Sequence, residues 1–255
     1  MSIANVVLVT GACGAIGRAL VESLLAIKYH VLATDKNAEL GFACLEGASD
    51  SLSYIQCDLN GLPGSRDKLN CFYESALAFL SDKALIGIVH NAAYQVVNTF
   101  SDLSDDDWIS TFNINLLAPV ALSNLFLDDL RSSSGSVVHI GSIHSNLTKP
   151  GFTAYATSKA ALAGLTKAMA VELGGQIRVN AIEPAAISTP MLEAGFENNP
   201  YLKTQLEKFH PTGSIGTPQD VANAVLFLLN PANPFLNGCI LPVTGGIDSR
   251  LHDPA

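Results

Sequence analysis

The chain has 255 residues, 48% of them hydrophobic, which is enough to bury a substantial core without stabilising cross-links. Its formal net charge of −9 and isoelectric point near 5.0 argue against non-specific binding to nucleic acid or anionic membranes, because both depend on clustered Lys and Arg. The cysteines are odd in number and lack metal-ligand spacing, so we expect free thiols and a reducing, cytoplasmic setting: Cys13, Cys44, Cys57, Cys71 and Cys239.

Short apolar runs recur along the chain and are separated by longer amphipathic stretches. Runs that are apolar on both faces indicate strands covered by helices on both sides, so the pattern predicts an α/β fold with a doubly wound parallel sheet of about seven strands. The predicted strands are 6–10, 30–34, 52–57, 85–90, 136–141, 177–182 and 239–243. The predicted helices, several of which start at polar capping residues, are 15–27, 65–82, 105–130, 153–173 and 217–229.

The chain shows no repeat and no Pro/Gly/Ser-rich linker, so we expect one domain spanning 1–255. The first apolar run lacks a preceding basic region and continues into glycines, which favours a strand over a signal peptide. No stretch approaches the roughly 18 apolar residues of a membrane span. The long segment 184–216 has no predicted strand and mixes Pro and Gly with helix formers. Such a segment is typical of a substrate-binding lid.

A glycine-rich turn follows the first predicted strand. The run "VVLVTGACGAIG" places Gly11, Gly14 and Gly17 between this strand and the first predicted helix. A helix N-terminus offers unpaired N–H groups and partial positive charge, and glycine lets a pyrophosphate approach the backbone closely. The position of the turn favours a dinucleotide-binding site over ordinary turn glycines.

Asp35 lies at the end of the second predicted strand, in "HVLATDK". A carboxylate at this tip accepts hydrogen bonds from the adenosine ribose hydroxyls and repels a 2′-phosphate. We therefore predict NAD as the cofactor, the alternative being that Asp35 is a solvated turn residue. Arg18 and Lys36 are potential partners for a 2′-phosphate, but each is equally compatible with a solvated charge.

The stretch "YATSK" places Tyr155 and Lys159 four residues apart, and therefore on one face of the helix 153–173. Ser142 follows the fifth predicted strand, at the edge of the sheet where ligands of parallel α/β folds bind. A phenol has a pKa near 10, and a neighbouring ammonium favours its ionised form. The three groups suit chemistry between a carbonyl and an alcohol, with Tyr155 transferring the proton and Ser142 binding the substrate oxygen.

Several motifs in order along nearly the whole chain make it resemble the compact, single-domain branch of the short-chain dehydrogenase/reductase family. They are "TGACGAIG", Asp35, "CDL" (57–59), "NAA" (91–93), "NINL" (113–116), Ser142, "YATSK", "VNAIEPAAISTP" (179–190) and "VTGG" (243–246). The resemblance implies a Rossmann-type fold and a catalytic set of Asn115, Ser142, Tyr155 and Lys159. It also implies that Asn115 holds a helix bulge whose water links to Lys159.

The same resemblance implies a cofactor site formed by the glycine turn and the ends of several strands. Asp58 and Leu59 would flank the adenine, Asn91 and Ala92 would border the adenosine ribose and a strand end, and Ile187 and Thr189 would lie at the nicotinamide carboxamide and phosphates. The full implied set is Gly11, Gly14, Ala15, Ile16, Gly17, Asp35, Asp58, Leu59, Asn91, Ala92, Tyr155, Lys159, Pro184, Ile187 and Thr189. The sequence departs from the family pattern where alanine replaces the usual glycine, at Ala15, Ala93 and Ala185.

Three further polar residues follow predicted strands and are candidates for the substrate pocket: Gln95, His144 and Glu183. Ordinary loop positions are the alternative for each. Their polarity favours a small polar substrate such as a polyol, sugar or hydroxy acid. The six histidines show no metal-ligand spacing, so we expect no metal site. The alanine-rich run "KAALAGLTKAMAVEL" allows close helix packing, and the resemblance implies a homo-oligomer, with a tetramer as the first expectation and a dimer as the second.

The combined pattern predicts an NAD-dependent oxidoreductase that transfers a hydride between the cofactor and a secondary alcohol or ketone. An NADPH-dependent ketoacyl reductase is the alternative within enzymes, and Asp35 together with the lack of a basic residue just before Gly17 argues against it. A catalytically silent NAD-sensing or scaffold protein is the alternative from another class. The presence of both Tyr155 and Lys159 favours the enzyme.

Overall fold

A parallel sheet forms the centre of the molecule in the computed structural model, which describes residues 3–38, 50–194, 196 and 199–251. Within these residues the sheet has 7 strands in the order β3-β2-β1-β4-β5-β6-β7. The strands are β1 (Ala4–Thr10), β2 (His30–Asp35), β3 (Leu52–Gln56), β4 (Lys83–His90), β5 (Ser136–Ile140), β6 (Arg178–Pro184) and β7 (Ile240–Val243). Each corresponds to a strand predicted from the sequence, so the doubly wound, Rossmann-type fold is confirmed.

Helices cover both faces of this sheet. They are α1 (Ala15–Ala26), α2 (Arg66–Leu80), α3 (Asp105–Phe112), α4 (Ala118–Leu125), α5 (Leu127–Ser133), α6 (Thr153–Leu173), α7 (Pro190–Ala194), α8 (Pro200–Phe209) and α9 (Pro218–Leu229). Helices α1 and α9 share one hydrophobic core with the sheet, while α2, α4, α5 and α6 share the other.

The central strand β1 shows why the strands read as continuous apolar runs. Val6 and Leu8 point into the core beneath α2 and α4, whereas Val7 and Val9 point into the core beneath α1 and α9. All four are fully buried. Because successive side chains of a strand point to opposite faces, a strand covered on both sides needs apolar residues at every position.

The predicted helix 105–130 is divided in the structure. A π-helical turn, Asn113–Leu117, separates α3 from α4, and a sharp bend at the buried Phe126 separates α4 from α5. A π-turn inserts one extra residue into the helical ladder and is frequent at functional sites. The prediction of one continuous helix was therefore wrong, whereas the helix bulge that the family resemblance implied at Asn115 is present.

The segment 184–216 contains more regular structure than its sequence indicates. It includes α7 and α8, and Ile187 pairs with Gly216 in an isolated parallel bridge that ties the two ends of the segment together. The Glu193 carboxylate accepts hydrogen bonds from Ser188 Oγ and from Lys203 Nζ, at 3.0 and 2.8 Å. The mobility expected of a lid stays a prediction.

No single helix in the described ranges is long and apolar enough to cross a membrane. One pair bent by 62°, Asp105–Leu125 followed by Leu127–Ser133, reaches the required length and composition when the two parts are taken together.

Candidate active site

The glycine turn between β1 and α1 is packed too closely for side chains. Gly11 has a φ of +66°, and a Cβ added to it would lie 2.7 Å from Ala92 Cα. A Cβ added to Gly17 would lie 2.1 Å from the Gly11 carbonyl oxygen. Gly14 caps α1 without any side-chain hydrogen bond, which leaves the first N–H groups of the helix, at Ala15 and beyond, available for a ligand. The residues present therefore fit the pyrophosphate of a dinucleotide.

Asn91, at the end of β4, fixes the position of this turn. Its side-chain amide donates to the carbonyl oxygens of Thr10 and Gly11, at 2.9 and 3.0 Å. The backbone N–H groups of Asn91 and Ala92 both donate to Thr10 Oγ1 at 3.0 Å. Sequence reasoning did not single out Thr10, although its place directly before Gly11 in the strand was a usable signal.

The three alanines that stand in place of family glycines all avoid left-handed backbone. Among the described residues with positive φ, the non-glycine ones are Lys28 and Ser134, so Ala15, Ala93 and Ala185 are not strained. An added methyl group at each position is thus compatible with the local backbone.

Asp35 lies at the tip of β2 beside the glycine turn. Its carboxylate accepts from the backbone N–H of Cys13 at 3.0 Å and from both the backbone and side-chain N–H groups of Asn37. The Tyr54 hydroxyl group bonds to the carbonyl oxygens of Asp35 and Asn37 and so supports the same corner. These hydrogen bonds fix the orientation of the Asp35 carboxylate at the tip of β2.

The other expected cofactor residues occupy the same edge of the sheet. Asp58 accepts from Asn60 N–H at 3.0 Å and caps a short turn that begins at the buried Leu59. Pro184 ends β6, Ile187 is buried at the start of the segment 184–216, and Thr189 Oγ1 accepts from Leu192 N–H.

Tyr155 and Lys159 project from the first half of α6 toward the end of β5. Lys159 is only 2% exposed, and its Nζ donates to the Ile140 carbonyl oxygen at 2.7 Å. The same Nζ lies 5.5 Å from the centre of the Tyr155 ring. Burial lowers the pKa of Lys159 to about 8. The side chain therefore carries a poorly solvated ammonium directly beside the phenol.

Ser142 directly follows β5, and its hydroxyl group interacts with the Tyr155 phenol. Burial raises the pKa of the Tyr155 phenol, and hydrogen bonding with Ser142 acts in the lowering direction. Desolvation is the larger of these two influences, so the net direction is a raised pKa. At neutral pH Tyr155 is therefore a phenol with a proton to donate. The effect of the Lys159 ammonium on the phenol stays a prediction.

Asn115 supports the active site from the π-turn. Its Oδ1 accepts from Tyr94 N–H at 2.7 Å, and its Nδ2 donates to the Tyr94 carbonyl oxygen and to Ser158 Oγ, each at 2.9 Å. Ser158 in turn donates to the Tyr155 carbonyl oxygen at 2.7 Å. Asn115 thus connects the segment after β4 to the helical turn that carries Tyr155. Sequence reasoning missed Ser158, which lies inside "YATSK".

His144 lies against the ring of Tyr155. Its ring stacks on Phe152 with centres 4.4 Å apart and meets the Tyr155 ring edge-on at 5.8 Å. Its Nδ1 is 2.9 Å from Thr148 Oγ1. Burial, aided by the charge of Lys149, lowers the pKa of His144, which favours a neutral imidazole.

The remaining two substrate candidates differ in burial. Gln95 is exposed in the segment after β4. Glu183 is 5% exposed at the end of β6, where it accepts hydrogen bonds from Ser145 and Asn146. Glu183 also borders a cleft of about 300 Å³ whose other walls are Ile143, Asn146, Leu147, Pro242, Thr244 and Asp248.

A buried pair of histidines lies behind the site and was not found from the sequence. His90 and His139 occupy paired positions in β4 and β5, and their rings stack with centres 5.2 Å apart. His90 Nε2 is 2.9 Å from Ser123 Oγ, and His139 Nδ1 is 2.9 Å from Thr166 Oγ1. Burial holds the pKa of His90 well below its usual range and lowers that of His139 to about 3. In the described part of the chain, no group of three or more His, Cys, Asp or Glu side chains is arranged to hold a metal ion.

Comparison with known proteins gives matches over nearly the full chain. Residues 11–248 match the family model described as enoyl-(acyl carrier protein) reductase. Protein FixR of Bradyrhizobium diazoefficiens is 32% identical over 95% of this chain and 86% of its own length. Carbonyl reductase (NADPH) 2 of Sus scrofa is 31% identical over 94% of each chain.

Solved structures agree with these relatives. The ligand-free aldohexose dehydrogenase of Thermoplasma acidophilum superposes with a TM-score of 0.87 at 27% identity, covering 99% of this chain and 98% of its own.

Proposed function

Because the chain belongs to the short-chain dehydrogenase/reductase family, we propose that it is an NAD-dependent enzyme that interconverts a secondary alcohol and a ketone. The observation that carries the proposal is the convergence of Ser142, Tyr155 and Lys159 at the end of β5. Enzymes of this family are oxidoreductases that use nicotinamide cofactors. The proposal adds the choice of cofactor and the roles of these residues.

The reaction requires one hydride transfer and one proton transfer at the substrate. A bound nicotinamide cofactor supplies or accepts the hydride. Tyr155 donates its phenolic proton to the carbonyl oxygen during reduction and takes the hydroxyl proton during oxidation. Ser142 Oγ accepts from His144 N–H, and its single hydroxyl hydrogen, which interacts with Tyr155 in the free protein, turns to the oxygen of a bound substrate. The Lys159 ammonium stabilises the phenolate that reduction leaves behind.

NAD is supported by the presence of Asp35 at the tip of β2 beside the glycine turn, because a carboxylate at this tip repels a 2′-phosphate. Titration calorimetry of the unmodified protein is expected to show tighter binding of NADH than of NADPH. Asp35→Ala is expected to narrow this difference because the repulsive charge is removed. Asp82→Asn, at an exposed carboxylate just before the start of β4, is the matched control and is expected to leave the preference unchanged. Tighter binding of NADPH by the unmodified protein would show that the NAD assignment is wrong.

A small polar substrate such as a polyol, sugar or hydroxy acid is supported by the polar residues near Tyr155. One of them, His144, is in ring contact with Tyr155. The structural similarity to an aldohexose dehydrogenase favours the same class. A screen of polyols, aldoses, hydroxy acids and apolar secondary alcohols with NAD, followed by absorbance of the reduced cofactor, tests the proposal. Turnover confined to the apolar alcohols would contradict it.

An NADPH-dependent 3-ketoacyl-type reductase is the second candidate. It is favoured by the similarity to 3-oxoacyl-(acyl-carrier-protein) reductases of Chlamydia pneumoniae and Vibrio harveyi and to the NADPH-type carbonyl reductase. Reduction of a 3-ketoacyl thioester with NADPH, faster than any reaction with NAD, would establish this alternative. Cofactor binding without turnover of any alcohol or ketone would instead establish a silent NAD-sensing or scaffold protein.

We also propose that the chain forms a single catalytic domain in which the segment 184–216 is a lid over the substrate site. We further propose that this domain assembles as a homotetramer. Apolar side chains lie exposed on neighbouring elements around α6, namely Ile109, Leu117 and Val171. Large exposed apolar side chains on adjacent helices are typical of subunit interfaces. Light scattering after gel filtration measures the assembly, and a monomer at micromolar concentration would contradict it.

A further inference from the structure

The turn that carries Ser142 is held by more than its own backbone. Ser142 has extended backbone angles at the end of β5, and a short helical turn, Ile143–Ser145, follows it. Ser145 N–H donates to the Ser142 carbonyl oxygen at 2.9 Å, while His144 N–H donates to Ser142 Oγ at 3.2 Å. The placement of the Ser142 hydroxyl therefore depends on where this turn lies.

Glu183 holds the far end of this turn. Ser145 Oγ donates to one carboxyl oxygen of Glu183, and Asn146 Nδ2 donates to the other at 2.9 Å. Asn146 Nδ2 also donates to Ser145 Oγ at 3.0 Å, which closes a ring of three hydrogen bonds. Each of the two turn side chains is thus tied both to Glu183 and to the other.

Glu183 also packs against the near end of the turn. Gly141, the residue before Ser142, donates its N–H to the Ile182 carbonyl oxygen at 2.7 Å. A Cβ added to Gly141 would lie 3.0 Å from Glu183 Cγ and 2.9 Å from that carbonyl oxygen. Because Gly141 has no side chain, the Glu183 side chain has room to lie along the edge of the sheet. Both ends of the turn contact one residue of β6.

The chemistry of the contacts indicates a fixed acceptor. Glu183 is 5% exposed, and among the described residues it forms no ion pair with a Lys, Arg or His side chain. Its oxygens are used by two neutral donors that belong to the turn. A buried carboxyl group with such partners is costly to keep unless the hydrogen bonds are made.

We infer that Glu183 is a positioning residue for Ser142: its carboxyl group anchors the turn 142–146 to β6 and so directs the Ser142 hydroxyl toward Tyr155. The kinetic part of this inference rests on the proposed function, whereas the structural part does not. A displacement of a reacting group by about 1 Å costs up to 10²-fold in rate.

Two variants at Glu183 distinguish hydrogen-bond anchoring of the turn from an effect of the negative charge on the substrate. Glu183→Leu removes both acceptors at similar volume, and kcat is expected to fall about 10- to 100-fold while the affinity for NADH stays within twofold. Glu183→Gln keeps one acceptor for Ser145, and an amide flip of Asn146 satisfies its new N–H group, so most of kcat is expected to return. A Gln variant as impaired as the Leu variant would show that the charge acts on the substrate, and the inference would be wrong.

Ser145→Ala tests the route without altering the buried carboxyl group, and it serves if the Leu variant fails to fold. If Glu183 acts through Ser145, the losses of kcat caused by Ser145→Ala and by Glu183→Leu are expected to be non-additive in a double-mutant cycle. Independent, additive losses would overturn the inference. Asp129→Leu is the matched control, because it removes a carboxyl acceptor from the Tyr73 hydroxyl far from the turn. Its kcat per folded protein is expected to equal that of the unmodified enzyme.

Hydrogen exchange provides a readout that needs no substrate. Amide exchange at 142–147 is expected to accelerate about tenfold or more in Ser145→Ala and Glu183→Leu, with α6 unchanged, since the anchoring bonds are lost. Unchanged exchange at 142–147 in both variants would overturn the inference even if the enzyme is active. If the unmodified protein oxidises no alcohol, the proposed function fails, while faster exchange in the variants still supports the anchor.

Discussion

Tyr155 contributes both a packed ring and a reactive oxygen, and the two are separable by mutation. Its ring contacts His144, Phe152 and the Lys159 ammonium, and all these contacts survive in Tyr155→Phe. The variant is expected to fold and to bind NADH normally. Its turnover is expected to fall roughly 10²- to 10⁴-fold because the proton-transferring oxygen is missing. Steady-state kinetics and calorimetry on the same preparation measure the two effects.

The matched control for this change is Tyr73→Phe, which removes a hydroxyl group that bonds to Asp129 at the other end of the sheet. This variant is expected to keep full turnover. Near-normal turnover of Tyr155→Phe across the pH range would leave Tyr155 as a packing residue and would remove the basis of the mechanism.

Burial of the Lys159 ammonium is expected to lower the stability of the folded protein at neutral pH. Its pKa falls from 10.5 to about 8, so the folded state disfavours the ammonium. Below pH 8 the folded protein carries the buried charge and is destabilised by it. Between pH 8 and 10.5 the folded protein has lost this proton while the unfolded chain retains it, so the free energy of unfolding rises with pH in this range. Each pKa unit corresponds to about 1.4 kcal/mol. Lys159→Met is therefore expected to raise the free energy of unfolding at pH 7 by up to about 3 kcal/mol.

Urea denaturation without cofactor measures this gain, and the same variant is expected to lose turnover and some cofactor affinity. Lys167→Met, at an exposed position of the same helix, is the control and is expected to change stability by less than about 0.5 kcal/mol. A destabilised Lys159→Met protein would show that the bond to the Ile140 carbonyl outweighs the desolvation of the ammonium.

At the scale of elements, the segment 184–216 contains short helices joined by a weak ion pair. The Glu193–Lys203 ion pair is partly exposed, and pairs of this kind contribute about 0 to 1 kcal/mol. We therefore expect α7 and α8 to exchange their amide hydrogens quickly in the free protein and to gain protection when NADH and substrate bind. Hydrogen-exchange mass spectrometry measures this, with β5 as the internal reference. Equal protection with and without ligands would argue against a lid.

Elements with a simple physical signal were the ones predicted from the sequence. The seven strands are recognisable because burial on both faces demands apolar residues at every position, as in Val6 to Val9. Gly11, Gly14 and Gly17 were recognisable because a tight turn before a helix excludes side chains. The pair Tyr155 and Lys159 followed from helical spacing, and Ser142 from its place after a strand.

Features that depend on three-dimensional contacts did not follow from residue patterns. The π-turn leaves the apolar periodicity of 105–130 nearly intact, so periodicity indicated one helix, and the bulge at Asn115 was expected only from the family resemblance. The partners of Glu183 are 37 and 38 residues away in the chain, and strand register alone brings them together. The raised pKa of Tyr155 reflects its burial, which residue spacing does not reveal.

At the scale of the whole molecule, the buried histidine pair limits stability in acid. His90 and His139 are 3% and 0% exposed and sit between the two helical layers, in the middle of the sheet. Both have lowered pKa values, so both stay neutral in the folded protein at mildly acidic pH. The unfolded chain binds protons at these residues below about pH 6.5. Stability present above pH 6.5 is therefore lost progressively as pH falls.

Between pH 7.5 and 5.5 each histidine is expected to cost about 1.4 kcal/mol, or about 3 kcal/mol for the pair. This window lies above the range in which Asp and Glu titrate, so their contribution is small. Urea denaturation of the unmodified protein and of His90→Asn/His139→Asn at both pH values measures the effect, since the difference between pH values cancels any packing defect of the variant. The variant is expected to lose about 3 kcal/mol less than the unmodified protein over the interval. Equal losses would place the acid sensitivity elsewhere in the fold.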